Sequence, residues 1–311
     1  MRQNFIVLIL IALAISPSVA AQDPEPALAR FERARQRYAK GDFNGAIADY
    51  TEVILLSTSR ESNQKDSGRF DFAAHESKPG TITFMSPALA AAYAGRALAR
   101  YRQGHLAEAI ADCDRALSIH PGLAQVYLNR GIMLWVKNDL DAALADFDRV
   151  IKMQPQNAQA YENRGHVLFD KGNLAAALAD FEKAISLSPQ VAAFFSSRGQ
   201  VLQALGQLDR GLADCDHAIE IDQGFARGFY CRATALYARK DFEGALAAFR
   251  KTIELDAGLA EAHGNLGFVL LQMGREAEAE KEFAECVRLD PATKSKLERL
   301  IQNARIKGTK D

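Results

Sequence analysis

The chain has 311 residues, of which 48% are hydrophobic and 25% charged, and its formal net charge is -1. That length suffices for one extended domain or two compact ones, and the near-balance of charge excludes the basic footprint expected of a nucleic-acid binder. Four cysteines without close spacing point to neither a disulfide scaffold nor a zinc site.

The first element is "MRQNFIVLILIALAISPSVAAQD". Arg2 supplies a short positive start, Phe5 to Ile15 is an unbroken apolar run, and Ser18, Val19, Ala20 and Ala21 are small residues at a cleavage site. Residues 1–20 are therefore expected to be a signal peptide. The mature chain would begin at Ala21 or Gln22 in an exported, periplasmic compartment. Retention by an uncleaved N-terminal anchor is the alternative, although a span needs about 20 apolar residues. No later segment has the character of a membrane span.

Beyond it the chain repeats itself. Ala97, Gly131, Gly165, Gly199, Ala233 and Gly267 are spaced by 34 residues. Twelve residues after each stands another small one: Ala109, Ala143, Ala177, Gly211, Ala245 and Ala279. Helices approach closely only where their contact residues are small, so each pair marks the crossing point of a helix hairpin. A further copy carries Ala34 and Ala46. Gly41, Gly104, Gly172, Gly206 and Gly274 fall between the two helices of their units, where a left-handed residue ends the first helix. Asn138 can do the same, and Lys240 departs from the pattern. Pro121, Pro155, Pro189 and Pro291 stop second helices. Phe147, Phe181 and Phe249 fill the core side of those helices, and Cys113 and Cys215 hold the equivalent slot as small core residues.

This 34-residue periodicity resembles the tetratricopeptide repeat family, whose unit is a helix, a turn and a second helix. The fold expected is an all-α solenoid, with units at 27–60, 90–123, 124–157, 158–191, 192–225, 226–259 and 260–293. Residues 21–60 hold the N-terminal region and first unit, 61–89 an insertion, and 90–293 six contiguous units. The insertion contains "RFDF" and "TITF" around Pro79-Gly80, which reads as a loop or short hairpin. In "ATKSKLERLIQNARIKG" the residues Leu297, Leu300, Ile301 and Ala304 share one helical face, so 294–307 is expected to be a capping helix.

The residue before each small one is Arg33, Arg96, Arg130, Arg164, Arg198 or Arg232, and then Leu266. The matching second-helix position holds Asp49, Asp112, Asp146, Asp180 and Asp214, and then Ala248 and Glu282. Pairing within units mismatches Arg232 with Ala248 and Leu266 with Glu282. Pairing between units joins Asp49 to Arg96, Asp112 to Arg130, Asp146 to Arg164, Asp180 to Arg198 and Asp214 to Arg232, and sets Ala248 against Leu266. Inter-repeat clips are therefore expected, with Arg33 left over; an acidic ligand on the arginines is the functional alternative.

No arrangement carries chemistry. The Asp-x-Asp pairs in "ADCDRA", "ADFDRV" and "ADCDHA" recur at one repeat position on helices, where residues two apart do not share a face. They read as one interface aspartate and one solvent charge. The histidines form no His-Glu-x-x-His, and no phosphate loop or nucleophile elbow is present. The expectation is a non-enzymatic chain without catalytic residues, metal or cofactor. Free core thiols are expected, with a disulfide between Cys215 and Cys231 as the alternative in an oxidising compartment.

In the family that the repeats resemble, positions 2, 5, 9 and 12 of the first helices face inward. Carried over, this gives a partner-binding groove of Phe31, Tyr38, Leu98, Tyr101, Leu128, Ile132, Trp135, His166, Phe169, Tyr230, Tyr237 and Phe268, with Leu271 beside them. About half of these rings are expected to be mainly core. The clamp by which some members grip a C-terminal carboxylate is not matched: Asn129 and Asn163 are present, but Ala94, Leu98, Leu128 and Ile132 stand where its lysine and asparagine belong. The functional expectation is a scaffold that binds a peptide segment of a protein partner. The alternative is a structural module that self-associates through its N-terminal unit and insertion as a homo-oligomer.

Overall fold

The computed structural model describes residues 25–66 and 87–308. The signal-peptide reading and the "RFDF"/"TITF" hairpin lie outside these residues. The described chain is helical throughout and divides at Pro155 into two compact units. The first holds α1 (Glu25–Ala39), α2 (Phe43–Asp66), α3 (Pro87–Arg102), α4 (Leu106–Ile119), α5 (Ala124–Val136) and α6 (Leu140–Met153). The second holds α7 (Ala158–Asp170), α8 (Leu174–Leu187), α9 (Ala192–Ala204), α10 (Leu208–Ile221), α11 (Ala226–Ala238), α12 (Phe242–Leu255), α13 (Ala260–Gln272), α14 (Glu276–Leu289) and, after a 3-10 turn at Pro291–Thr293, α15 (Lys294–Gly308). Consecutive helices pair as hairpins, and within each unit the second helix of a hairpin also packs on the first helix of the next. The second helix of the first repeat runs to Asp66, past the boundary read from the sequence.

Sequence explains these hairpins locally. The first helices end on left-handed residues, with φ of 84° at Gly104 and 76° at Gly206, and Asn138 takes the same conformation at 70°. Lys240 takes it as well, at 65°, although a side chain there is strained. Asn157, Asn173, Asp139 and Asp241 then cap following helices by accepting a backbone N–H three residues on. At the crossings small residues are obligatory. A Cβ on Gly131 would stand 2.7 Å from the Phe147 ring, and one on Gly199 would stand 2.9 Å from the Gly211 carbonyl oxygen. The core is accordingly built of small residues at the seams, with Phe147, Phe181 and Phe249 buried beside them. In α15 Leu297 is buried against the last repeat, Ile301 is half-buried and Leu300 is exposed.

Candidate functional site

The arginine series forms regular forks, and these lie within repeats. Arg33 bonds Asp49, Arg96 bonds Asp112, Arg130 bonds Asp146, Arg164 bonds Asp180 and Arg198 bonds Asp214, each sixteen residues apart. In every case Nε donates to one carboxylate oxygen and Nη2 to the other, at 2.6–2.9 Å. The expected pairing between repeats is therefore incorrect. The arginine sits one residue from its hairpin's crossing point, so its Nε edge faces the second helix of its own repeat, where the aspartate is buried. Arg33 is not left over, and Asp49 turns to Arg33 and Arg37 instead of Arg96.

Links between repeats do exist, two residues further along. Arg130 donates its remaining Nη1 to Asp114 of the preceding repeat at 2.7 Å, and Arg96 donates Nη1 to Thr51 at 3.0 Å. Arg232 approaches Asp216 at 3.4 Å. At Asp114 and Asp216, then, the second aspartate of the Asp-x-Asp pair is an inter-repeat partner of an arginine. Stacking completes the arrangement: the guanidinium groups of Arg96, Arg130, Arg164 and Arg198 lie 5.4–5.6 Å from the rings of Tyr93, Tyr127, Tyr161 and Phe195, one turn earlier.

The two sequence exceptions resolve separately. Leu266 lacks a charge, yet Glu282 is engaged by His263 Nδ1 at 2.7 Å, from the helical position one turn before Leu266. Ala248 is buried and brings no carboxylate to Arg232. Burial raises Asp146 above the usual carboxylate range despite the bonds from Arg130, whereas the Arg33 fork holds Asp49 below it.

Cys215 in α10 and Cys231 in α11 form a disulfide with a Cα–Cα separation of 5.5 Å, which joins neighbouring repeats. The default of free thiols is corrected at these two positions. Cys113 and Cys286 are buried and free.

Of the twelve expected groove residues, Phe31, Tyr38, Leu98, Leu128, Ile132, Trp135 and His166 are buried. Tyr101, Phe169, Tyr230, Tyr237 and Phe268 are half-buried. The rings are held by the second helix of their own hairpin: Phe31 packs edge-on against Tyr50, His166 against Phe181, Tyr230 against Phe249 and Phe268 against Phe283. Tyr38 and Tyr237 rest on Phe43 and Phe242. A polar cluster missed in the sequence lies on the same helical face. His166 Nε2 lies 3.3 Å from Ser197 Oγ and 4.0 Å from Glu162 Oε1. Burial raises Glu162 to about 7 and lowers His166 to about 3, so His166 is neutral at physiological pH. Across α11 and α13, Asn265 donates to the Tyr230 hydroxyl at 2.8 Å. Among the described residues no cluster of His, Cys, Asp and Glu could hold a metal ion, and no helix is long and apolar enough to cross a membrane.

Comparison with known proteins agrees with this geometry. Three models of the tetratricopeptide repeat match, over residues 90–123, over 128–192 and 163–226, and over 236–303. No curated protein matches. Among solved structures, a tetratricopeptide repeat protein from Parabacteroides merdae ATCC 43184 is similar with a TM-score of 0.71 and 17% identity, covering 90% of this chain and 99% of that one. The APC/C hetero-tetramer Cut9-Hcn1 is similar at 0.62 and 12% identity, covering 92% of this chain and 57% of that one. A thermophilic protein of the same repeat type from Thermus thermophilus is similar at 0.54 and 21%, covering 59% and 99%.

Proposed function

The chain belongs to the tetratricopeptide-repeat family, a fold that serves as a protein–protein interaction scaffold, and from that premise we propose that it is exported and binds a peptide segment of a protein partner through the inner face of its first helices. The observation that carries the reading is a set of half-buried rings at recurring positions on that face: Tyr101 in the first compact unit, and Phe169, Tyr230, Tyr237 and Phe268 in the second. Each is partly exposed while it packs against the core beside it, a rigid aromatic contact that loses little entropy on binding. Export is supported by the apolar start of the chain and by the Cys215–Cys231 disulfide, a bond that persists in oxidising compartments. The periplasm is the compartment proposed, and the scaffold acts without catalysis.

The test is affinity capture from envelope extracts with the full chain, comparing wild type with Tyr101→Ala and Tyr237→Ala. A protein retained by wild type and lost by the variants supports groove binding. Equal retention by all three removes it. Exposed Leu28 and Leu55 in the first repeat favour a second reading, self-association through that repeat. Sedimentation of wild type against Leu55→Glu tests it, and a monomer in both refutes it.

A further inference from the structure

The repeat spanning 226–259 breaks the arginine series, and the break leaves a cavity. In five repeats the guanidinium fork is filled by a buried aspartate of the same hairpin. Here the arginine persists as Arg232 while the aspartate is replaced by Ala248. Arg232 approaches Asp216 of the preceding repeat at 3.4 Å, and the buried Asp216 Oδ1 receives no hydrogen bond. Both of those side chains are nearly half exposed, at 46% and 43%, against 12–25% for the forked arginines of the inner repeats, Arg96, Arg130, Arg164 and Arg198, while Arg33 in the first repeat is 50% exposed within its fork. Between α11 and α12 a cavity of about 290 Å³ remains, lined by Phe229, Arg232, Leu236, Asp241, Ala248 and Lys251.

We propose that this cavity is a carboxylate-binding subsite in which a ligand carboxylate takes the place of the absent repeat aspartate. Arg232 would turn inward and donate Nε and Nη2 to the two oxygens, as its equivalents do to aspartates. Lys251, now engaged with Glu254 at the surface, supplies a second cation, and Phe229 and Leu236 supply an apolar wall for the methylenes behind the carboxylate. Asp241 also lines the cavity. Its Oδ1 accepts the Gly244 N–H as the α12 cap, and this fixed carboxylate disfavours a second acidic group on the ligand. The chemistry selected is thus a single carboxylate on a short aliphatic stem: the side chain of an acidic residue in a polypeptide, with a free monocarboxylic acid as the other source. Phe229 and Leu236 directly precede Tyr230 and Tyr237, so the subsite occupies the helical face next to theirs, about 100° round, and shares none of its lining with the aromatic groove.

The experiment follows the Arg232 Nε–Hε resonance of the full, oxidised chain by NMR, assigned with Arg232→Gln. The probes are a blocked Gly-Glu-Gly peptide, its Gly-Gln-Gly counterpart and acetate. A saturable shift with the glutamate peptide, absent with the glutamine peptide and weakened about tenfold or more in Ala248→Asp, supports the subsite. Acetate matching the peptide supports the same chemistry with a free acid as its source. No carboxylate-dependent shift, or an equal shift in Ala248→Asp, overturns the proposal. The same conclusion is read without ligand from Ala248→Asp and Ala248→Asn: only the aspartate should draw the Arg232 resonance to the position of the forked arginines, and equal effects of both refute it.

Discussion

The Arg130–Asp146 fork gives the sharpest test of how charge is placed in this fold. Asp146 is only 6% exposed and Arg130 22%, with two bonds between them of 2.8 and 2.6 Å and a third from Arg130 to Asp114 at 2.7 Å. Arg130→Ala strands a buried carboxylate and should cost about 3–5 kcal/mol. Asp146→Ala should cost less, about 1–3 kcal/mol, because Arg130 keeps Asp114 and some access to water. The double alanine variant should cost no more than the worse single, giving a coupling of about 1–3 kcal/mol. Replacing both with Met and Leu should come within about 1 kcal/mol of wild type, since burial of the ions offsets much of their attraction. Asp114, 56% exposed, should cost at most about 1 kcal/mol on truncation. The assay is urea unfolding followed by the single tryptophan, Trp135, which lies on the same helix as Arg130. Coupling below about 0.5 kcal/mol for Arg130–Asp146, or a larger coupling for Arg130–Asp112, would refute the within-repeat assignment.

Lys240→Gly should stabilise the second compact unit by about 0.5–1 kcal/mol, because it relieves a left-handed side chain at φ 65° at some cost in unfolded-state entropy; an unchanged or lower urea midpoint counts against it. The Cys215–Cys231 bond closes a loop of sixteen residues, so reduction or the double alanine variant should cost about 3 kcal/mol, and thiol titration of the oxidised unfolded chain should find only Cys113 and Cys286 reactive. Glu162 and His166 give opposing pH dependences. The folded pKa of Glu162, about 7, lies above its unfolded value, so the folded state holds the extra proton and stability falls as pH rises towards 7. The folded pKa of His166, about 3, lies below its unfolded value, so stability falls as pH drops through the range from 6.5 towards 3. Glu162→Gln should remove the first slope and unmask the second, and a pH profile identical to wild type would show that the pair does not titrate in this way.

The repeat architecture was legible because each unit must solve the same steric problem. Gly131 and Ala143 mark one crossing and Gly199 and Gly211 another, and a 34-residue interval between small residues has few other physical causes. The left-handed turn was legible at Gly104 and at Asn138 but not at Lys240, where packing of the flanking helices overrides the residue's own preference. The expected groove residues share one helical face by periodicity, yet periodicity cannot tell a ring lying over its own hairpin, as Phe31 lies over Tyr50, from one left partly exposed, as Phe268 is. The cluster of Glu162, His166 and Ser197 had no sequence signal, since its members come from two helices and only their burial makes them chemically unusual.

The charge pairing shows why exceptions in a repeat must be read one at a time. The joint absence of charge at Ala248 and Leu266 suggests a lost pair between repeats only while repeat position is treated as the sole route by which a carboxylate finds a partner. The structure supplies a second route: His263, one turn before Leu266, reaches Glu282. Leu266 is therefore a compensated loss. Ala248 is an uncompensated one, because Arg232 remains and only approaches the half-buried Asp216 without a hydrogen bond to its Oδ1. A repeat that keeps the cation and lacks its buried anion leaves Arg232 without a fork partner, and the cavity beside Ala248 is where a ligand carboxylate would enter. The same site follows from either line of reasoning, the interruption of the series or the geometry of the void, and an aspartate restored at 248 closes both.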